Sequence, residues 1–364
     1  MIPLLTLLAL AMPSLSLQAT TAPATSEPAY RIVSTTLSAA DLRAKLKAVG
    51  KPMWFDGQQI TFALEDAKAT GAVVCCGFQE RLEARGEGVY SLSIWVRDIE
   101  QMVITYGVLP LYNNAEFPEF PREPLPVWRG PQAPAASPRV DVLRGKRLEE
   151  KLVSASLKAA RGISVYLPPN HDPATGTRVI YMADGQGVEG YAPILEAAIV
   201  AGRVPPTVLI GIHNSDQRYE EYVTGGAPYK AHEAFVMNEV LPWAERTFGA
   251  SKDRASRFLM GFSNGADWTL KMSASHGDTF GGVIVMSPLH GLGEPRWTPS
   301  TTPAYYLQAG QFEDPILETA LNVQRSLETY KAANILDVRV GGHDSVIWED
   351  AFPGALEWLV KNVK

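Results

Sequence analysis

The chain has 364 residues, of which 46% are hydrophobic and 20% are charged, and its formal net charge is −6. This length suits two domains, and the composition is that of an ordinary globular protein. The acidic balance and the lack of a long Lys/Arg cluster in the sequence argue against a nucleic-acid-binding protein, so we expect no nucleic-acid partner.

The N-terminal segment is the first predicted element. Residues 3–17 are almost entirely apolar, a run short for a membrane span, and Ala19 supplies a small residue for cleavage, although no Lys or Arg precedes the run. We predict a signal peptide over 1–19, a periplasmic or secreted localisation, and no membrane attachment after cleavage. Residues 20–30 are rich in Ala, Thr and Pro, which predicts disorder.

A small all-β sandwich is predicted over residues 31–117. A short helix follows Ser38 and ends at Gly50. Period-two alternation and turn residues then predict four strands, at 59–64, 71–77, 88–96 and 102–106. The only two cysteines, Cys75 and Cys76, are interpreted as strand residues on opposite faces, in preference to a disulfide between chain neighbours.

Residues 118–139 form the clearest boundary in the chain. Seven prolines lie between Pro118 and Pro138, with little periodicity between them. Such a segment is typical of a stiff linker or of a strap along a domain surface.

An α/β domain is predicted over residues 140–364. Strand and helix patterns alternate there, which is typical of a mostly parallel sheet with helices on both faces. The strand patterns are 163–168, 178–184, 206–212, 258–260, 282–287, 304–309 and 335–340. The helical patterns are 192–201, 231–248, 265–275, 315–330 and 351–363.

The fourth of these strand patterns runs directly into Gly261-Phe262-Ser263-Asn264-Gly265, and a helical pattern follows. Strand, G-x-S-x-G and helix together are the context of a nucleophile elbow, in which a strained turn exposes a serine hydroxyl. We therefore predict Ser263 as the nucleophile of a serine hydrolase.

Two backbone groups are candidates for an oxyanion hole. The peptide N–H of Asn264 follows the nucleophile at the start of a helix. A second donor is expected from the loop after an early strand, where Gly185 and Gln186 are the candidates.

The partners of Ser263 should follow later strands, because ligands bind at the carboxyl ends of strands in such sheets. His343 follows the last predicted strand and two glycines, so we predict it as the general base. The acid should follow the preceding strand, where Glu313 and Asp314 are adjacent and spacing does not separate them. Asp314 precedes Pro315 and suits a helix cap, which favours Glu313 as the acid and keeps Asp314 as the alternative.

The last 60% of the chain resembles the enterochelin esterase and esterase D group of the α/β-hydrolase superfamily. The matching motifs recur in the family's order, at 165–169, 180–186, 218–222, 238–243, 261–265 and 342–343. The resemblance implies an α/β-hydrolase fold, a serine nucleophile, carboxylic-ester substrates, and neither a metal nor another cofactor. The family's acid position maps onto Glu313. Residues 30–112 resemble, more weakly, the immunoglobulin-like N-terminal domain of enterochelin esterases.

Four further residues follow strand ends or the elbow and are candidates for substrate binding: Arg218, His213, Trp268 and His290. For Arg218, an ion pair with a carboxylate that holds its own loop is an equal alternative.

The resulting hypothesis is an exported serine esterase that hydrolyses a small-molecule or glycan-linked ester through an acyl-enzyme intermediate. An acyltransferase that uses the same acyl-enzyme, and a catalytically silent siderophore- or glycan-binding protein, are the alternatives. The sequence indicates neither a particular ester nor an oligomeric state.

Overall fold

The computed structural model describes residues 27–364. The predicted signal peptide and most of the segment predicted to be disordered lie outside these residues. None of the helices described between residues 27 and 364 has the length and apolarity needed to cross a membrane.

The N-terminal part is a sandwich of two antiparallel sheets. Its strands are β1 (Tyr30–Val33), β2 (Met53–Asp56), β3 (Gln59–Glu65), β4 (Gly71–Cys76), β5 (Glu80–Arg81), β6 (Glu83–Gly86), β7 (Val89–Val96), β8 (Val103–Leu111) and β9 (Val127–Arg129). One sheet has the order β1-β7-β3-β2 with β6 also on β7, and the other has the order β5-β4-β8-β9. Alternate apolar residues of β3, β4, β7 and β8 point between the sheets and form one core. The predicted all-β fold is therefore confirmed.

The helix α1 (Ala39–Val49) covers one sheet of the sandwich and begins and ends as predicted. Ser38 caps its N-terminus and forms a capping box with Asp41. Gly50 ends it with a left-handed φ of 66°. Leu42 on the inner face packs against Ala63 and Val89.

Three features of the N-terminal part differ from the expectations. Tyr30 begins β1 and pairs with β7, so at least this end of the segment predicted to be disordered is ordered. Cys75 and Cys76 form a disulfide, contrary to the preferred interpretation as unpaired strand residues. Part of the Pro-rich segment forms β9 and pairs with β8, which fits the strap and not a free linker. The domain boundaries themselves stay a prediction.

The C-terminal part is a single eight-stranded sheet. Its strands are β10 (Lys146–Ser154), β11 (Ala159–Leu167), β12 (Arg178–Ala183), β13 (Thr207–Ile212), β14 (Arg257–Phe262), β15 (Gly282–Met286), β16 (Ala304–Gly310) and β17 (Asn334–Arg339). The order is β10-β11-β13-β12-β14-β15-β16-β17. The six strands from β13 to β17 pair in parallel, and β10 and β11 pair antiparallel at one edge. The prediction missed β10, whose alternation exposes most of its residues.

Helices cover both faces of this sheet. They are α2 (Val188–Val200), α3 (Arg218–Tyr222), α4 (Ala227–Phe235), α5 (Leu241–Phe248), α6 (Asn264–Ser275), α7 (Asp314–Thr329) and α8 (Ser345–Asn362). A π-helical turn, Val236–Val240, joins α4 to α5. The helices α2 and α8 pack on one face, whereas α4 to α7 pack on the other. The parallel strands thus direct their carboxyl ends to one rim.

The sandwich contacts this rim through the loop that follows β17. The backbone N–H of Val103 donates to the carbonyl of Val340 at 2.9 Å, and the N–H of Thr105 donates to the Asp344 carboxylate. The backbones of Gly77 and Gly342 approach so closely that a Cβ on Gly342 would overlap the Gly77 carbonyl. The loop that carries His343 is therefore held from the sandwich side.

Candidate active site

The turn between β14 and α6 places Ser263 on the rim. Ser263 has φ 56° and ψ −131°, a conformation that a non-glycine residue adopts only when its surroundings impose it. Gly261 and Gly265 flank it, and a Cβ on Gly261 would overlap the carbonyl of Gly265. The sequence thus folds as an elbow because its two glycines let strand and helix approach around the serine.

Ser263, His343 and Glu313 lie in hydrogen-bonding contact. The Oγ of Ser263 is 2.9 Å from Nε2 of His343, and Nδ1 of His343 is 2.5 Å from Oε1 of Glu313. A carboxylate can only accept, so Nδ1 carries the proton and Nε2 is left as the acceptor for the serine hydroxyl. In this geometry the imidazole can remove the serine proton and the carboxylate can stabilise the resulting imidazolium.

The second carboxylate oxygen of Glu313 is also fixed. Its Oε2 accepts from the backbone N–H of Gly310 at 2.6 Å and from the hydroxyl of Ser287 at 2.9 Å. Ser287 in turn accepts from the indole N–H of Trp348 at 2.8 Å. Since the Glu313 side chain is 2% exposed, these donors keep a buried charge solvated by the protein.

Trp348 links His343 to the elbow and was not among the predicted site residues. Its ring meets the His343 ring edge-on, at 5.0 Å between centroids, and stacks on Phe262 at 4.8 Å. It lies in α8, five residues after His343, where one turn of helix brings it back beneath the imidazole. An apolar helix position in a sequence carries no signal of such a role.

Asp314 lies away from the imidazole contact and takes a different place in the helix from the one predicted. It is the first residue of α7 and is exposed, and Glu313 occupies the capping position without a side-chain capping bond. The prediction that Asp314 caps the helix was therefore wrong. The structure nevertheless brings Glu313, and not Asp314, to His343.

The loop after β12 lies against the elbow. Asp184 has a left-handed φ of 55°, and Gly185–Gly187 forms a 3₁₀ turn. A Cβ on Gly265 would come within 2.9 Å of Oδ2 of Asp184, so the loop packs directly on the start of α6. The N–H groups of Gly185, Gln186 and Asn264 thus belong to two neighbouring turns at the same rim, and the oxyanion hole itself stays a prediction.

Arg218 holds this loop. Its Nε and Nη2 donate to the two oxygens of Asp184 at 2.6 and 2.7 Å. The N–H of Asp184 also donates to the hydroxyl of Tyr222, at 3.1 Å. The geometry matches the alternative interpretation of Arg218 as a clamp, although its partner is Asp184. Glu221, the nearer acid in sequence, is instead bound by Arg161 at 2.6 and 2.8 Å.

The other three substrate-binding candidates make structural contacts. Trp268 is fully buried against Tyr222, so its prediction as a pocket residue was wrong. Nε2 of His213 lies 2.7 Å from the Ser164 hydroxyl, over β11, and burial lowers its pKa. His290 is half exposed, and its Nδ1 lies 2.8 Å from Asp267, a carboxyl whose pKa is raised by burial.

A pocket of about 270 Å³ opens over Ser263 and His343, and the sandwich forms its opposite wall. The lining residues are Tyr30, Gly77, Phe78, Gln79, Glu80, Ser263, Leu289, Phe312, Glu313, Ile316 and His343. Tyr30 and Phe78 were not predicted as pocket residues, since aromatic residues in a β-rich segment usually form the sandwich core. Among the described residues, no group of three or more His, Cys, Asp or Glu side chains is arranged to hold a metal ion.

Comparison with known proteins decides the family. A family model described as "Putative esterase" matches residues 154–349, more than half of the chain. The chain belongs to this esterase family. A curated relative, the uncharacterized protein YjcH of Bacillus subtilis (strain 168), is 27% identical over 145 residues, which cover 38% of this chain. The match spans 60% of the length of that relative.

Solved structures show the same fold over both parts of this esterase-family chain. The enterobactin esterase FES of Shigella flexneri with enterobactin is 16% identical, covers 86% of this chain and 97% of its own, and has a TM-score of 0.65. The ferric enterobactin esterase of Salmonella typhimurium is 16% identical and covers 88% and 98%, with the same TM-score. A ferulic acid esterase is 18% identical, covers 60% and 98%, and has a TM-score of 0.53. The predicted family and fold class are confirmed.

Proposed function

We propose that this chain is a serine esterase that hydrolyses carboxylic esters through an acyl-enzyme. The observation that carries the proposal is the Ser263–His343–Glu313 chain of hydrogen bonds, at 2.9 and 2.5 Å, in a pocket beside a strained elbow. This arrangement supports the roles of nucleophile, general base and orienting acid.

In the proposed first step, Oγ of Ser263 attacks the ester carbonyl while Nε2 of His343 takes its proton. The tetrahedral oxyanion is stabilised by the N–H of Asn264 and by an N–H from Gly185 or Gln186. When the intermediate collapses, the imidazolium gives its proton to the leaving alcohol and the acyl group stays on Ser263. Water activated by His343 then attacks the acyl-enzyme, and Ser263 regains its proton as the acid leaves.

The test compares 4-nitrophenyl butyrate hydrolysis by the wild type and by Ser263→Ala. We expect kcat to fall by about 10⁶-fold, since nucleophile and base act as a unit. A fluorophosphonate probe should label the wild type at Ser263 only. Ser275→Ala, at the exposed end of α6, is the matched control and should leave both readouts unchanged. Equal rates for Ser263→Ala and the wild type would refute the proposal.

We further propose that the protein is exported, because residues 1–19 carry the apolar run of a signal peptide. The disulfide between Cys75 and Cys76 supports an oxidising compartment. Expression of the full chain with N-terminal sequencing of the periplasmic or secreted product should give a start at Thr20. Retention of the intact N-terminus on protein in the cytosol would contradict export.

A further inference from the structure

The sandwich wall of the pocket carries an acidic side chain that the proposed chemistry does not use. Glu80 begins β5 and lines the same pocket as Ser263 and His343. Its Oε1 accepts from the hydroxyl of Tyr30 at 3.0 Å, which fixes the carboxylate on the pocket side of the sandwich. Oε2 of Glu80 makes no hydrogen bond or ion pair with any of residues 27–364, which leaves it for a ligand.

Aromatic rings form the floor beside this carboxylate. Phe78 and Phe312 stack at 4.9 Å between centroids, and Tyr30 meets both rings edge-on, at 5.2 and 5.6 Å. Phe312 comes from the rim and the other two rings come from the sandwich. Phe78 and Phe312 are only 2% and 8% exposed, so they support an apolar floor from below, and the half-buried Tyr30 is the ring open to a ligand.

The charged side chains beside these rings are acidic. Glu80 and Glu313 line the pocket, and the described residues that line it include no Lys or Arg. Burial and the neighbouring carboxylates of Glu80 and Asp314 raise the pKa of Tyr30 to about 12, so the phenol stays neutral. Arg97 reaches Gln311 beside the pocket, but its guanidinium is paired with Asp98. Glu313 is bonded at both oxygens, so an anionic ester would meet the charge of Glu80 with no Lys or Arg among the described lining residues to offset it.

We infer that Glu80 is a specificity-determining residue, and that the pocket selects esters with a positively charged group on an aryl or alkyl arm. The arm lies against Tyr30, above the buried rings of Phe78 and Phe312, and the cation lies beside the Glu80 carboxylate. Esters that carry a carboxylate at the same place are rejected. This inference rests on the proposed esterase function.

The test uses ester probes that differ only in charge. The 4-nitrophenyl 3-(4-X-phenyl)propanoates carry X as trimethylammonio, tert-butyl or carboxylate, of which the first two have the same shape. A second series carries the same rings on the alcohol side, as 2-(4-X-phenyl)ethyl acetates. We expect kcat/KM of the wild type to be highest for the cationic ester, lower for the neutral ester and lowest for the anionic ester in at least one series.

Glu80→Gln keeps the size of the side chain and its bond to Tyr30 while removing the charge. The kcat/KM ratio of the cationic to the neutral ester should fall by about fivefold. Glu328→Gln makes the same change in net charge in the last turn of α7, about 20 Å along the helix from the pocket, and should keep the wild-type ratio.

The outcomes separate this inference from the function on which it rests. Hydrolysis of the neutral ester that depends on Ser263, with no preference for the cationic ester in either series, overturns the role of Glu80 and leaves the esterase proposal standing. A preference that survives in Glu80→Gln overturns it too. Loss of the preference in Glu80→Gln alone supports it. No Ser263-dependent hydrolysis of any probe would overturn the esterase proposal itself.

Discussion

The two walls of the pocket are built in different ways. On the rim of the α/β sheet, each polar side chain of the site is fixed by another: Ser263 by His343, His343 by Glu313, and Glu313 by Ser287. The sandwich wall contributes the rings of Tyr30 and Phe78 and the carboxylate of Glu80, which among the described residues is bonded to Tyr30 alone. A rim that is bonded throughout suits chemistry that needs fixed geometry, whereas the sandwich wall is held by aromatic and apolar packing.

Apart from substitution of Ser263 or His343, neutralising Glu313 is expected to reduce activity most among changes to the rim. Glu313→Gln keeps the side-chain shape but removes the charge that fixes the Nδ1–H tautomer of His343. We expect kcat for 4-nitrophenyl butyrate to fall by about 10³- to 10⁴-fold with little change in KM. Asp314→Asn, at the exposed neighbouring position, is the control and should retain activity. A larger loss in Asp314→Asn than in Glu313→Gln would reassign the acid.

A milder test separates positioning from substrate contact at Arg218. If the residue holds the loop of Asp184, Arg218→Ala should lower kcat by roughly 10- to 100-fold and leave KM nearly unchanged, because the loop that carries the proposed oxyanion donors shifts. The kcat of Arg218→Lys should lie between those of the wild type and Arg218→Ala, since an ammonium cannot replace both bonds. The control is Arg325→Ala, which breaks an exposed pair with Glu318. A raised KM at constant kcat would instead place Arg218 in the substrate wall.

The contrast between the walls also explains what the sequence could predict. The elbow, His343 and the Glu313–Asp314 pair were found because each follows an apolar strand, and parallel strands must end at one rim. Because glycines lie on both sides of Ser263, the elbow could be recognised from a short stretch of sequence. The strand and helix patterns of the α/β part were also confirmed. Its strands were recognisable because a buried parallel strand is a continuous apolar run.

The residues that were missed or misplaced depend on contacts between distant segments. Tyr30 and Phe78 reach the pocket only because the sandwich docks on the rim, and no periodicity within 31–117 encodes that docking. Trp268 follows the elbow as a pocket residue might, but a helix directs successive side chains to different faces and this one points into the core. The disulfide of Cys75 and Cys76 is equally invisible to an alternating strand pattern.

Substitution of His232, which lies beneath the rim, is expected to have the smallest effect on activity and a distinct effect on stability. This residue is fully buried against Trp268 and Tyr222. Neither ring nitrogen has a hydrogen-bond partner among the described residues. Burial lowers its pKa to about 4 from a reference of 6.5.

This shift fixes the sign of a pH dependence. Because the folded-state pKa lies below the unfolded one, the unfolded chain binds the proton more readily, and the free energy of unfolding falls as the pH drops from about 6.5 towards 4. His232 alone should contribute a loss on the order of 2–3 kcal/mol over that range. His232→Phe keeps an aromatic ring among its aromatic neighbours and abolishes the titration. Urea unfolding of both proteins at pH 7.0 and 4.5 should therefore show a smaller acid loss in the variant, with the pH 7.0 hydrolysis rate within about twofold of the wild type. Parallel losses in the two proteins would mean that His232 does not resist protonation in the folded state, and that the layer under the rim is wetter than its burial indicates.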